Sequence, residues 1–140
     1  MDPTTSSPIP GSPLDHPAAV YRHLADVLPA HRRERHTACA VLCDAGAYPR
    51  YHSTVDTDPA PAAATCARVV GVFADALVGE DPDGALLLAI TRPGEARPIP
   101  ADEPWFHAFN RVCAQRDVRP LGLYVVTPDA MFALTPADML

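Results

Sequence analysis

The sequence predicts an α/β domain: a mixed β-sheet of about five strands with helices on both faces. Three observations carry this. Ala85-Leu86-Leu87-Leu88-Ala89-Ile90 is apolar at every position, as a central strand covered on both sides would be. Segments of helical and strand-like period follow one another in the order helix, strand, strand, helix, strand, helix, strand, strand. Turn signals separate them, the strongest at Asp81-Pro82-Asp83-Gly84. An initial hairpin, crossovers packed on the sheet and a final hairpin satisfy that order. No internal repeat interrupts it.

Each element has its own signal. Met1 to Pro13 is rich in Ser, Thr, Pro and Gly and reads as a disordered tail, which leaves 14–140 as a single domain. Asp15 is placed to cap a helix with Pro17 in its first turn. Val20, Tyr21, Leu24, Val27 and Leu28 then recur at helical spacing until Pro29. His36 to Asp44 reads as a strand centred on Ala40-Val41-Leu42. Asp44-Ala45-Gly46-Ala47 signals a turn, and Tyr48 to Val55 a second strand, which Pro49 places near a sheet edge. Asp58-Pro59 offers a helix start. That helix carries a stripe of Cys66, Val69, Val70, Phe73, Ala76 and Leu77, with Gly79 suited to its C-terminal cap.

After the Ala85–Ile90 strand comes a proline-rich turn, from Thr91-Arg92-Pro93-Gly94 to Ala101. Asp102 is placed to cap a third helix that buries Trp105, Phe109, Val112 and Cys113 and fails near Asp117. Leu121 to Val126 reads as a strand. Thr127-Pro128-Asp129 turns the chain, Met131 to Leu134 returns antiparallel, and Thr135 to Leu140 adds a helical turn.

Composition narrows the function classes. The chain has 140 residues, 48% hydrophobic and 20% charged, which suits one domain with a packed core. A net charge of -6 argues against a nucleic-acid partner. The one basic cluster, His31-Arg32-Arg33-Glu34-Arg35-His36, contains an acid and reads as a solvated linker. All eleven basic residues are arginine, so no lysine can form a Schiff base or serve a phosphate loop. No run reaches the ~18 to 20 apolar residues of a membrane span, and the first residues lack a signal-peptide pattern. A cytoplasmic location is therefore expected, with the four cysteines reduced and acting as small hydrophobes. Cys39 and Cys43 share a strand face, and Cys113 lies on an apolar helix face.

Candidate chemistry is sparse. Three of the four serines lie in the tail, and Ser53 lacks a nucleophile-elbow context. His52 reads as an exposed strand residue, His107 as solvent-exposed, and His16 with His23 as a surface pair. The cysteine and histidine spacings match no zinc motif. What remains is Arg92 and Arg97 beside the Asp102 helix N-terminus, which an anion would suit. Asp102 and Glu103 compete for the same arginines, so a structural salt-bridge cluster is the favoured reading.

The turn nevertheless resembles a known loop. Leu88-Ala89-Ile90-Thr91-Arg92-Pro93-Gly94-Glu95, then Pro98-Ile99-Pro100-Ala101-Asp102, is similar to the RadC-type JAB/MPN metalloprotease-like domain. In that family an apolar strand runs into a His-x-His-Pro-Ser-Gly-Asp loop and then to an aspartate opening a helix. Val118 to Val126 resembles the strand that follows. The likeness spans about residues 37 to 134, and the element order is shared with the cytidine-deaminase fold. The departures matter more. The family's two zinc-binding histidines fall on Ile90 and Arg92, neither of which can ligate zinc. Only Asp102 survives of the three protein ligands. No glutamate occurs between Glu34 and Glu80 to act as the base; Asp44, Asp56 and Asp58 are the nearby acids. Thr65-Cys66-Ala67-Arg68 resembles the deaminase Cys-Ala-Glu helix start, with Arg68 in place of the catalytic glutamate.

The resemblance implies a degenerate, non-catalytic member of a zinc-hydrolase fold that acts by protein–protein contact, as metal-free MPN members do. Neither metal nor cofactor is expected. The partner is a protein or a second copy of the chain, through apolar surface near Trp105, Phe106 or the last hairpin. The alternative is a small-ligand or anion-binding domain using Arg92, Gly94, Arg97 and Asp102. A hydrolase or deaminase with unusual residues, such as Cys66 or Asp102, ranks last.

Overall fold

A computed structural model describes residues 12–139. The tail expectation therefore lies outside the described residues, apart from Ser12 and Pro13. The elements are α1 (Pro17–Val27), β1 (Thr37–Cys43), β2 (Pro49–Asp56), α2 (Ala63–Glu80), β3 (Ala85–Thr91), α3 (Glu103–Arg116), β4 (Arg119–Val126) and β5 (Met131–Leu134). Short 3-10 turns occur at Ala30–Arg32, Pro100–Asp102 and Pro136–Met139. The strands form one mixed sheet in the order β2-β1-β3-β4-β5. β1 is antiparallel to β2 and β3, β3 is parallel to β4, and β4 is antiparallel to β5.

Side-chain alternation on the central strands builds two cores. Every residue of β1 and β3 is buried. Ala38, Ala40, Leu86, Leu88 and Ile90 face α2 and α3, where Phe73, Leu77, Trp105 and Phe109 pack. Cys39, Val41, Cys43, Leu87 and Ala89 face the opposite side, which α1 covers with Val20, Leu24 and Leu28. The three-layer arrangement follows from that double-sided burial. Leu24 and Leu28 are fully buried, each contributing about 1.5–3 kcal/mol by leaving water. Among the described residues no helix is long and apolar enough to cross a membrane.

The ends of α1 and α2 depart from expectation. α1 is capped by His16, not Asp15: its Nδ1 accepts from the Ala19 N–H at 3.4 Å. Pro17 is the first helical residue, so the capping position falls on His16 and Asp15 lies one residue too early. α2 begins at Ala63, several residues after Asp58-Pro59. Pro61 disfavours helical backbone at Ala60; the chain bends at 59–60 and the N-cap falls on Ala62, whose backbone is extended. α2 then continues through Gly79 to Glu80, and Asp81 is its C-cap. Its buried line is Cys66, Val70, Phe73, Ala74 and Leu77; Ala76 is exposed.

Two further contacts hold the layers in place. The Leu14 N–H donates to the Ala47 carbonyl at 2.8 Å, tying the segment before α1 to the β1–β2 turn. At Gly84 a Cβ would lie 2.6 Å from the Cys43 carbonyl oxygen and 2.7 Å from Leu77 Cδ1. The entry to β3 therefore requires a residue without a side chain.

Candidate functional site

The site is assembled where β3 leaves the sheet. Thr91, the last residue of β3, is fully buried; its hydroxyl hydrogen-bonds that of Thr37 and donates to the Arg35 carbonyl at 2.8 Å. The Arg92 N–H donates to the Val126 carbonyl at 3.1 Å, which extends the parallel pairing with β4 by one residue. Strand alternation puts the Arg92 side chain on the same side as Leu88 and Ile90, the side covered by α2 and α3. The chain then swings through Pro93-Gly94, where Gly94 adopts φ +98, a conformation that suits glycine.

Arg92 organises this loop. Its Nε and Nη2 donate to Asp102 Oδ1 and Oδ2, each at 3.0 Å. Nη1 donates to the Glu95 carbonyl at 2.8 Å and Nη2 to the Arg97 carbonyl at 2.7 Å. Four of the five guanidinium N–H groups are thus occupied. Asp102 Oδ2 also accepts from the Ile99 N–H at 3.0 Å. Both side chains are almost wholly buried, at 4% and 2% exposure. The paired geometry and the completed hydrogen bonding are what make two buried charges tolerable.

Asp102 is therefore not the helix cap that its position suggested. Its side chain makes no capping bond to α3 and its own backbone is helical, at φ -78 and ψ -25. Arg92 and Ile99 take both carboxylate oxygens. The predicted site residues consequently separate. Arg92, Gly94 and Asp102 come together. The Arg97 side chain points outward and pairs with Glu95 on the surface, and that hydrogen bond holds the Glu95 carboxyl below its ordinary value. Phe106 lies apart on α3, half-buried against the core, its ring meeting His107 edge-on. Trp105 is 2% exposed and offers no surface to a partner.

All four cysteines are buried and unpaired with one another. Burial raises their thiols: Cys39 to about 11, Cys43 to about 12, Cys66 to about 11 and Cys113 to about 12. Cys66 sits in the first turn of α2 and its thiol faces the Pro61 carbonyl at 3.9 Å. Arg68 is exposed. Among the described residues no group of three or more His, Cys, Asp or Glu is placed to hold a metal ion.

A second polar group lies on the α1 face. His23 is buried beneath α1 rather than on the surface, and its Nε2 has no hydrogen-bond partner. His52, opposite Val41 in the β1–β2 register, is half-buried on the same side. Desolvation lowers the pKa of both; His52 adds to the effect on His23, and Arg32 to that on His52. Next to them a hollow of about 250 Å³ is lined by His31, Arg32, Arg35, Thr37, Thr54 and Asp56. The signal for His23 was present, since it sits beside Leu24 in a helix otherwise apolar on that face. A histidine there reads equally well as a boundary residue.

No protein-family model matches the chain, and a search of curated proteins finds no relative.

Proposed function

We propose that this domain acts by protein–protein contact and does not catalyse, as a metal-free variant of the zinc-hydrolase fold that its loop resembles. The Arg92–Asp102 pair carries this reading. In the resembled JAB loop the aspartate holds zinc. Here its two oxygens accept three hydrogen bonds, and a guanidinium fixed at the end of β3 supplies the positive charge. The position resembling the first histidine, Ile90, is a buried strand residue. The thiols, held protonated, are poor nucleophiles. The -6 net charge favours a protein surface over nucleic acid. Metal analysis of protein purified without chelator tests the reading: less than a tenth of an equivalent of zinc is expected, and one tightly held equivalent would overturn it.

One observation favours anion binding as a second reading, at a different place from the one the sequence suggested. Arg92 already gives four of its five guanidinium N–H groups to its own turn, so an anion gripping it in bidentate fashion would have to displace Asp102. Arg32 is half-buried in the α1-side hollow, beside Arg35, without an ion pair among the described residues. Stabilisation by millimolar phosphate that vanishes in Arg32→Gln would support this reading. An identical response in both proteins would remove it.

A further inference from the structure

We infer that the chain forms a symmetric homodimer in which β2 pairs antiparallel with β2 of a second copy, about a twofold axis at Ser53. This deepens the contact function proposed above and rests on that reading.

The sheet has two edges, β2 and β5. β5 has four residues and β2 has eight, so β2 presents the longer row of outward main-chain groups. Edge strands of monomers are usually blunted by charges, prolines or bulges along their length. In β2 these devices are confined to the ends. Pro49 is its first residue, and the irregularity in its pairing with β1 falls at that same end, where Leu42 pairs Tyr51 and Cys43 pairs Pro49 and Arg50 is the extra, outward-bulging residue. Tyr51-His52-Ser53-Thr54-Val55 contains no Asp, Glu, Lys or Arg and no proline or glycine.

The charges that flank this segment are self-complementary. Arg50 lies three residues before Ser53 and Asp56 three after it. With the axis at Ser53, Arg50 stands opposite Asp56 of the partner subunit and Asp56 opposite Arg50 of the partner subunit. Tyr51 meets Val55 of the partner subunit, an aromatic against a β-branched residue. His52 meets Thr54 of the partner subunit. This register pairs the regular Tyr51–Val55 span and brings the flanking Arg50 and Asp56 of the two copies together at each end. Asp56 already meets Arg35 at 3.3 Å, but both side chains are largely exposed, and the carboxylate can accept a second guanidinium.

Exposed apolar surface marks the same edge. Three large hydrophobic residues are exposed among the described residues, and two of them flank this edge: Tyr48 at 46%, just before β2, and Val55 at 37%, near its end. Pairing two five-stranded sheets about a twofold axis closes the assembly, whereas joining β2 to β5 of another copy would propagate it.

Sedimentation velocity at about 100 μM is the test. The wild type should sediment at twice the 14.9 kDa chain mass. Arg50→Glu and Asp56→Arg should each give the single-chain mass with an unchanged far-UV spectrum, and Arg50→Glu combined with Asp56→Arg should restore the dimer. A separate readout avoids charge reversal. Ser53→Cys treated with copper phenanthroline should form a covalent dimer, and Val72→Cys, exposed on α2, should not. A wild type at the single-chain mass, or Ser53→Cys that cross-links no better than Val72→Cys, overturns the β2 dimer. A monomer that binds no zinc would still leave the contact reading standing with a different partner, whereas tightly bound zinc would sink that reading whatever the mass.

Discussion

Arg92 and Asp102 face each other through two parallel hydrogen bonds of 3.0 Å, closing the eleven-residue connection between β3 and α3. The carboxylate lies just ahead of α3 and the guanidinium just beyond β3, so one pair fixes how the third helix leaves the sheet. Truncating either partner strands a buried charge. Asp102→Ala is expected to lower unfolding free energy by about 3–5 kcal/mol in urea titrations. Replacing both, as in Arg92→Met with Asp102→Leu, should cost clearly less than the sum of the two single changes. Additive losses would mean that the pair is not coupled.

Gly84 is a second point of tight fit. An alanine there would press against the Cys43 carbonyl and Leu77, a backbone atom and a core side chain. Gly84→Ala should destabilise by about 1–3 kcal/mol, whereas Gly79→Ala, with nothing within 4 Å of its added carbon, should not. Thermal denaturation of the two variants side by side decides this.

Stability should fall in mild acid. The folded state holds His23 and His52 below their ordinary value of 6.5, chiefly by desolvation, with Asp26 pulling weakly the other way at His23. The unfolded chain therefore binds more protons between the lowered values and about pH 6.5, and stability rises with pH across that window. It is complete above 6.5 and is lost as pH falls from there toward the lowered values. Unfolding free energy measured between about pH 5 and 8 should show this slope, and His23→Leu should flatten it. An unchanged slope in that variant would place the proton uptake elsewhere.

Thiol reactivity should report unfolding. With thiols raised to about 11 or 12, at pH 8 only about a thousandth or less is thiolate, and none is reachable from solvent. A chromogenic disulfide reagent should titrate four thiols in denaturant and close to none in the native state. Rapid modification of one native cysteine would show that its thiol is not buried.

The fold could be read from the chain because its strongest signals are local. Ala85–Ile90 can be buried on both faces only as a central strand, and the even spacing of Cys39 and Cys43 placed them together. The helix starts were less legible. Pro61 disfavours helix at the residue before it, so 59–62 stays non-helical and overrides the capping signal at Asp58. The site was half legible. Spacing brought Arg92 and Asp102 into one turn, but an aspartate before a helix looks the same whether it caps the helix or neutralises an arginine. The choice depends on where β3 aims the Arg92 side chain, which is set by burial across the sheet. His23 is hard to place from the sequence for a related reason: α1 lies over β1, β3 and β4, and periodicity does not say how wide that contact is.

The α1 layer also bears on how the chain is made. The residues it covers include Val41 on β1, Leu87 on β3 and Val126 on β4. A ribosome delivers α1 before β1, β3 and β4. Leu24 and Leu28 therefore wait, with no sheet to cover them, until those strands have followed. This helix docks only on strands made after it, and a chain stalled before β4 displays its apolar stripe to the cell's quality-control machinery.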